Sequence, residues 1–290
     1  MNSQENQAYM VLCTTSQLAQ LIDDKELVII DCRFDLAKPN WGFDNYKIGH
    51  IPGAFFANLD NDLAGVITSK TGRHPLPDQE EFVRKLDHWG INNNSQVVVY
   101  DTTGGAFAAR LWWMLKYYGH KQVAVLDGGL QKWINDGYSI SLGNEILKRH
   151  GVSFIPAIDK TCEVSTVEIE QLRLNSTILI IDARTPQRYR GETEPIDTVA
   201  GHIPGAINRF HGDNLSLDRS FKSPGNLRTE FETLLHGRSP ENVIIYCGSG
   251  VTSCHHLLAM EIAGLSGARL YVGSWSEWIR DPNHPIATIE

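Results

Sequence analysis

The sequence has no apolar run long enough to span a bilayer, and its first twenty residues, MNSQENQAYMVLCTTSQLAQ, carry no basic stretch leading into an apolar core. Neither a membrane anchor nor a secretory leader is expected, and the cytoplasm is the expected compartment. An excess of positive charge is also missing. With 34 acidic and 26 basic residues the net charge is −8, which disfavours nucleic acid or an anionic membrane as a partner. Cysteine is sparse. Cys13, Cys32, Cys162, Cys247 and Cys254 are odd in number and include no CxxC pair, so neither a disulfide framework nor a structural zinc site is expected. No metal or cofactor is expected.

What remains is a globular composition, 42% hydrophobic and 21% charged over 290 residues, enough chain for two domains. The text repeats itself. LVIIDCRFD at 27–35 matches ILIIDARTP at 178–186. GHIPGAFFAN at 49–58 matches GHIPGAINRF at 201–210. VVVYDTTGGAFA at 97–108 matches VIIYCGSGVTSC at 243–254, and VAVLDGGLQKW at 123–133 matches ARLYVGSWSEW at 268–278. Order and spacing are kept, so two tandem homologous domains follow: 9–142 and 161–290, joined by a weakly periodic linker over 143–160. Short continuous apolar runs alternate with helical spacing. That pattern predicts an α/β fold in each copy, a mostly parallel sheet buried between helices.

The two copies differ at one chemically important position. Cys247 stands where the first copy has Asp101. The cysteine ends a predicted strand, and the loop Gly248-Ser249-Gly250-Val251-Thr252 leads into a predicted helix. Such a junction is where ligands bind in parallel sheets. Its glycines let successive N–H groups turn inward, and an amide nest backed by a helix start stabilises an anion. A thiolate placed there would be a nucleophile at neutral pH, its pKa below the free value of about 8.5. A buried strand-end cysteine acting as a small hydrophobe is the plainer alternative. Cys13, Cys32 and Cys162 read as packing residues. Cys254, two helical turns beyond Cys247, reads as core, with a resolving thiol as the other reading.

These motifs together resemble the tandem-domain rhodanese sulfurtransferases over almost the whole chain. The resemblance implies two rhodanese-like domains, the first catalytically silent and the second carrying Cys247 as the residue that accepts a sulfane sulfur as a persulfide. Within that family, loops with basic residues after the cysteine accompany thiosulfate as donor, whereas Cys-Gly-Ser-Gly-Val-Thr accompanies 3-mercaptopyruvate. The resemblance therefore implies a small-molecule sulfur donor and a cyanide or thiol acceptor, possibilities that include a thioredoxin-like protein. The backbone of Gly248, Gly250, Val251 and Thr252 is expected to face the substrate, and Ser249 or Thr252 to address its thiol.

Arg188, in QRYRGE, matches the family's carboxylate-gripping arginine, and guanidinium suits that task. A second arginine that the family places shortly before the second GHIPG is missing, with Arg190 as a possible substitute. Arg184 reads as a structural partner of a carboxylate. His50 is either a relay partner of Ser249, with Asp44 as its carboxylate, or a structural turn residue like His202. Cysteine phosphatases require arginine six positions after the cysteine; Ser253 occupies that place, against phosphoryl chemistry. A non-catalytic persulfide carrier is the remaining alternative.

Overall fold

The computed structural model describes residues 9–145 and 153–289. The first domain is a sheet of β1 (Leu12–Cys13), β2 (Leu27–Asp31), β3 (Ala54–Phe56), β4 (Gln96–Tyr100) and β5 (Val123–Leu126), in the order β1-β5-β4-β2-β3. The second domain repeats it with β6 (Glu163–Val164), β7 (Leu179–Asp182), β8 (Ile207–Asn208), β9 (Val243–Tyr246) and β10 (Arg269–Tyr271), in the order β6-β10-β9-β7-β8. Every strand pair is parallel. β4 is buried along its whole length, and so is β9, because helices cover both faces of each sheet.

The repetition extends to single hydrogen bonds. The helices Thr15–Leu21 and Thr166–Leu172 start with the same capping box, from Thr14 with Gln17 and from Ser165 with Glu168. In each copy the arginine after β2 or β7 pairs with the strand's last aspartate and donates to the carbonyl before the GHIPGA histidine: Arg33 to Asp31 and Gly49 O, Arg184 to Asp182 and Gly201 O. Both aspartate–arginine pairs are buried and multiply hydrogen-bonded, the condition under which such a pair is tolerated.

The domains share one continuous hydrophobic core. Its centre is the contact between the helices Ala108–Tyr117 and Thr252–Ile262. In AARLWWMLKY only Lys116 escapes burial, since one face packs on its own sheet and the other on the second domain. Arg110 lies within that interface, fully buried, and donates to Gly250 O at 3.0 Å and His74 O at 3.1 Å.

Each domain also lends the other a covering loop. Residues 71–74 lie over the second domain, with Arg73 N donating to Ser276 Oγ at 3.0 Å and Arg280 Nε to Thr71 O at 3.1 Å. Residues 215–221 lie over the first, with Phe221 N donating to Asp127 Oδ1 at 2.8 Å and Arg219 to Thr102 O at 3.1 Å. Part of the expected linker, 146–152, lies outside the described residues. On either side of it the chain docks on the first domain: Gly143 N bonds Lys47 O, Ala157 N bonds Tyr118 O, and Phe154 is buried. No helix among the described residues is long and apolar enough to cross a membrane.

Candidate active site

β9 ends at Tyr246 and delivers Cys247 to the mouth of the loop, followed by the helix Thr252–Ile262. Gly250 has φ +77°, and a Cβ there would run into the carbonyl of Val272, so the loop tolerates only glycine at this turn. Burial raises the pKa of the Cys247 thiol. The hydroxyls of Ser253 and Thr252 and the amides of Ser249 and Ser253 outweigh that effect and leave it below its ordinary value. Ser253 Oγ donates to Cys247 Sγ at 3.4 Å. The other four cysteines go the opposite way. Burial pushes Cys13, Cys162 and Cys254 up to about 12 and raises Cys32 well above the ordinary thiol value. Cys254 points back along its helix to Gly250 O, and the described structure contains no disulfide.

The same cradle in the first domain holds an anion of its own. The Asp101 carboxylate accepts four backbone N–H bonds, from Thr103, Gly105, Phe107 and Ala108, at 2.8–3.0 Å. The second and sixth residues past the anion donate in both loops, Thr103 and Phe107 in one and Ser249 and Ser253 in the other. The loop is thus built to surround negative charge, and the copies differ in whether that charge can react.

The covering loop 71–74 brings first-domain side chains onto Cys247. His74 Nδ1 lies 2.7 Å from Ser249 Oγ, and its Nε2 lies 3.1 Å from Asp60 Oδ1. If Nε2–H donates to Asp60, Nδ1 accepts the Ser249 hydroxyl proton, giving a serine–histidine–aspartate chain across the domain interface. Burial, with Arg110 and Arg73 nearby, lowers the His74 pKa to about 3, so the ring rests neutral.

His50, the residue weighed for this relay, is not at the site. Its Nδ1 is bonded to Tyr46 O at 2.8 Å, its Nε2 faces Glu145 and its ring stacks on Tyr46. His202 is held the same way, on Tyr189 O and the Tyr189 ring. Each pairs its backbone with a returning terminal segment, Ser141 in one copy and Ala287 in the other. Asp44 pairs with Lys47 on the surface. The GHIPGA histidines thus fasten turns, and the one beside Ser249 lies in a segment outside the repeat motifs.

Arg188, in the helix Pro186–Arg190, reaches the site and pairs with Glu194 at 2.7 Å and Asp197 at 3.1 Å. Arg184 is held by Asp182 and Glu194. Arg190 turns to the surface and pairs with Glu192, so it does not fill the place of a second substrate arginine. Arg73, His74, Arg184, Arg188, Cys247, Gly248, Ser249, Val251 and Thr252 line one cavity of about 190 Å³. A buried thiol of lowered pKa, a serine–histidine–aspartate chain and guanidinium groups around one small cavity suit nucleophilic attack on a small anionic molecule.

Comparison with known proteins agrees with this fold. The rhodanese-like domain pattern matches residues 14–136 and 165–281. The chain belongs to the rhodanese family, as two tandem copies of its domain. It is 45% identical over 279 residues, covering 96% of this chain and 98% of the relative, to a probable 3-mercaptopyruvate sulfurtransferase of Pseudomonas aeruginosa. It is 37% identical, at 95% and 96% coverage, to a putative thiosulfate sulfurtransferase of Mycobacterium tuberculosis. Among solved structures, SseA of Escherichia coli, a 3-mercaptopyruvate sulfurtransferase by its description, superposes with a TM-score of 0.79 at 31% identity, covering 93% of this chain and all of that one.

Proposed function

We propose that the protein is a sulfurtransferase that takes sulfur from 3-mercaptopyruvate onto Cys247 and passes it to a thiol or cyanide. The observation that carries this reading is the convergence on one cavity of the single lowered-pKa thiol, the Ser249–His74–Asp60 chain and Arg188.

The Cys247 thiolate attacks the donor sulfur. The sulfur–sulfur bond forms as the carbon–sulfur bond breaks, and the electron pair leaves on the methylene carbon as the enolate of pyruvate. That carbon takes up a proton and pyruvate departs. The proton comes from the donor thiol, and Ser249 Oγ, hydrogen-bonded to neutral His74, is placed to pass it along. The persulfide left on Cys247 carries its negative charge within the amide nest. An acceptor thiolate then attacks the outer sulfur, restoring the Cys247 thiolate and leaving as a persulfide; cyanide leaves as thiocyanate.

A second donor, thiosulfate, is favoured by the cations beside the loop and by the name of one relative. Arg73 and Arg188 already face Asp197 and Glu194, so two positive charges meet two negative ones. A dianion gains less from that balanced set than a monoanion whose thiol Ser249 can address. A reducing cytoplasm and a thioredoxin-like dithiol fit a persulfide chemistry that must be discharged by thiols. Intact mass tests the reading: incubation with mercaptopyruvate should add one sulfur, a thiol should remove it, and Cys247→Ser should take none.

A further inference from the structure

From the cross-domain contacts of Arg110, we infer that this first-domain guanidinium is a positioning residue and the buried counter-cation for the anion on the second-domain loop, first the Cys247 thiolate and then the persulfide. The inference rests on the reading of Cys247 as the sulfur acceptor and adds to it a charge supplied by the other domain.

In each loop, the third residue after the anion is held by a side chain from the opposite domain's helix. Arg110 Nη1 donates to Gly250 O at 3.0 Å, and His255 Nε2 to Gly104 O at 2.9 Å. Gly250 stands three positions after Cys247 and Gly104 three after Asp101, both at positive φ. The two contacts correspond in place and differ in charge. Burial, with His211 nearby, lowers His255 to about 3 and keeps it neutral. Arg110 is fully buried as well, yet a guanidinium keeps its proton in a protein. The permanent carboxylate of Asp101, satisfied by four amides, therefore has a neutral group behind its loop. The thiol, which must ionise to react, has a cation.

Arg110 is not spent on a carboxylate. Its partners among the described residues are the carbonyls of Gly250, Leu63 and His74 at 3.0–3.4 Å, and its buried Nε has no acceptor there. Arg73 and Arg188, on the cavity side of the loop, already face Asp197 and Glu194. A buried cation without an anion is costly. The titratable groups around Arg110 are Cys254, Cys247, Tyr118 and His74. Of these, Cys247 is the one whose local hydroxyls and amides already favour the anion. A fixed charge in a buried interface stabilises that anion without solvent having to reorganise. The same guanidinium holds His74 O and Gly250 O together, so it also sets His74 against the loop.

A charge and a mere brace are separated by the pH midpoint at which iodoacetamide alkylates Cys247, read by intact mass on the full chain with Cys247→Ser as the blank. Arg110→Gln keeps donors and loses the charge. It should raise the midpoint by about one to two pH units and slow alkylation at pH 7 about tenfold or more. Arg110→Met, uncharged and of similar length, should do the same and covers the case in which the glutamine variant fails to fold. Arg110→Lys keeps the charge and should hold the midpoint close to that of wild type, while kcat for sulfur transfer falls because one ammonium does not reproduce the guanidinium fork. His255→Gln, which alters the matching bond on Gly104 O without removing a charge, should leave the midpoint in place. A midpoint unmoved in the neutral variants, one raised as far by lysine as by glutamine, or one raised equally by His255→Gln would overturn the counter-cation. No sulfur donor enters this test, so failure of wild-type protein to take sulfur from mercaptopyruvate would overturn the donor reading alone.

Discussion

Asp101 and Cys247 occupy the same place in the same loop, and the difference between them separates two jobs that one cradle can do. Around Asp101 the inward amides solve a folding problem, since a buried carboxylate with four N–H donors is fully satisfied and locks the turn. Around Cys247 two of the donors are hydroxyls, from Ser253 and Thr252, and two are amides, from Ser249 and Ser253, and together they hold a thiol that burial alone would keep protonated. The covers differ as well. Leu215 and Phe221 close over the first loop, whereas Arg73 and His74 close over the second. A cradle is thus a general anion site, and its residue and its cover decide whether the anion is structural or reactive.

The comparison breaks most visibly at the thiol. Cys247→Ser should abolish persulfide formation, because the hydroxyl is not ionised at neutral pH. Cys254→Ser should stay within a few-fold of wild type, read by thiocyanate production. Moving the thiol to the other loop should not move the activity. In the double variant Asp101→Cys, Cys247→Ser, the new thiol would face an apolar cover, and intact mass should show no sulfur gained from mercaptopyruvate.

The covers are tested by a pair of histidines. His74→Ala should lower kcat by about 10² to 10³ with a smaller change in KM, since a positioned proton-transfer group contributes on that order. His50→Ala should leave kcat nearly unchanged and lower stability by about 1–3 kcal/mol, the cost of a vacated buried hydrogen bond. If His50→Ala loses the turnover and His74→Ala keeps it, the assignment of the relay is wrong. Asp101→Asn, which turns an amide donor toward N–H groups, should cost about 2–3 kcal/mol in denaturant unfolding with little effect on kcat.

The last test is a pH dependence of stability, with no effect expected on turnover at neutral pH. His255 and His256 are buried behind the active loop, each accepting from Asn214 on Nδ1 and donating from Nε2 to Gly104 O and Arg209 O. Burial lowers His255 to about 3, and proximity to His211 adds to it. The unfolded chain binds a proton near pH 6.5 that the folded chain refuses, so this contribution is complete above 6.5 and declines as pH falls toward 3. Stability should fall by up to about 1.4 kcal/mol per pH unit for each such histidine across that window. Denaturant midpoints at pH 7 and pH 5 should show a smaller difference in His255→Asn than in wild type.

The fold was largely legible because a parallel sheet writes itself as short apolar runs, and here each run appears twice. LVIID and VIIY needed no tertiary information. The place of Cys247 in a strand-end anion cradle was legible because the repeat supplied its own control, Asp101. The histidine beside Ser249 was harder to read, because a histidine that recurs in both copies attracts notice and His74 occurs once. Its neighbours in sequence, TGRHPLPD, match no catalytic pattern, and it meets Ser249 only through packing of one domain on the other. A usable signal was present nonetheless. The corresponding stretch of the second copy, Leu215–Phe231, has no histidine, and a polar residue peculiar to the first copy is a candidate for work in the other one. Arg73 escaped for the same reason.

The exchange of covering loops has a consequence for how the activity could be divided. A fragment holding only the second domain would keep Cys247, its cradle and Arg188, and would lose Arg73, His74, Asp60 and the Arg110 guanidinium that braces Gly250. It would be a nucleophile stripped of its proton relay. On the proposed mechanism the first domain would serve as a covalently attached cofactor protein, supplied at a one-to-one ratio by the chain that needs it.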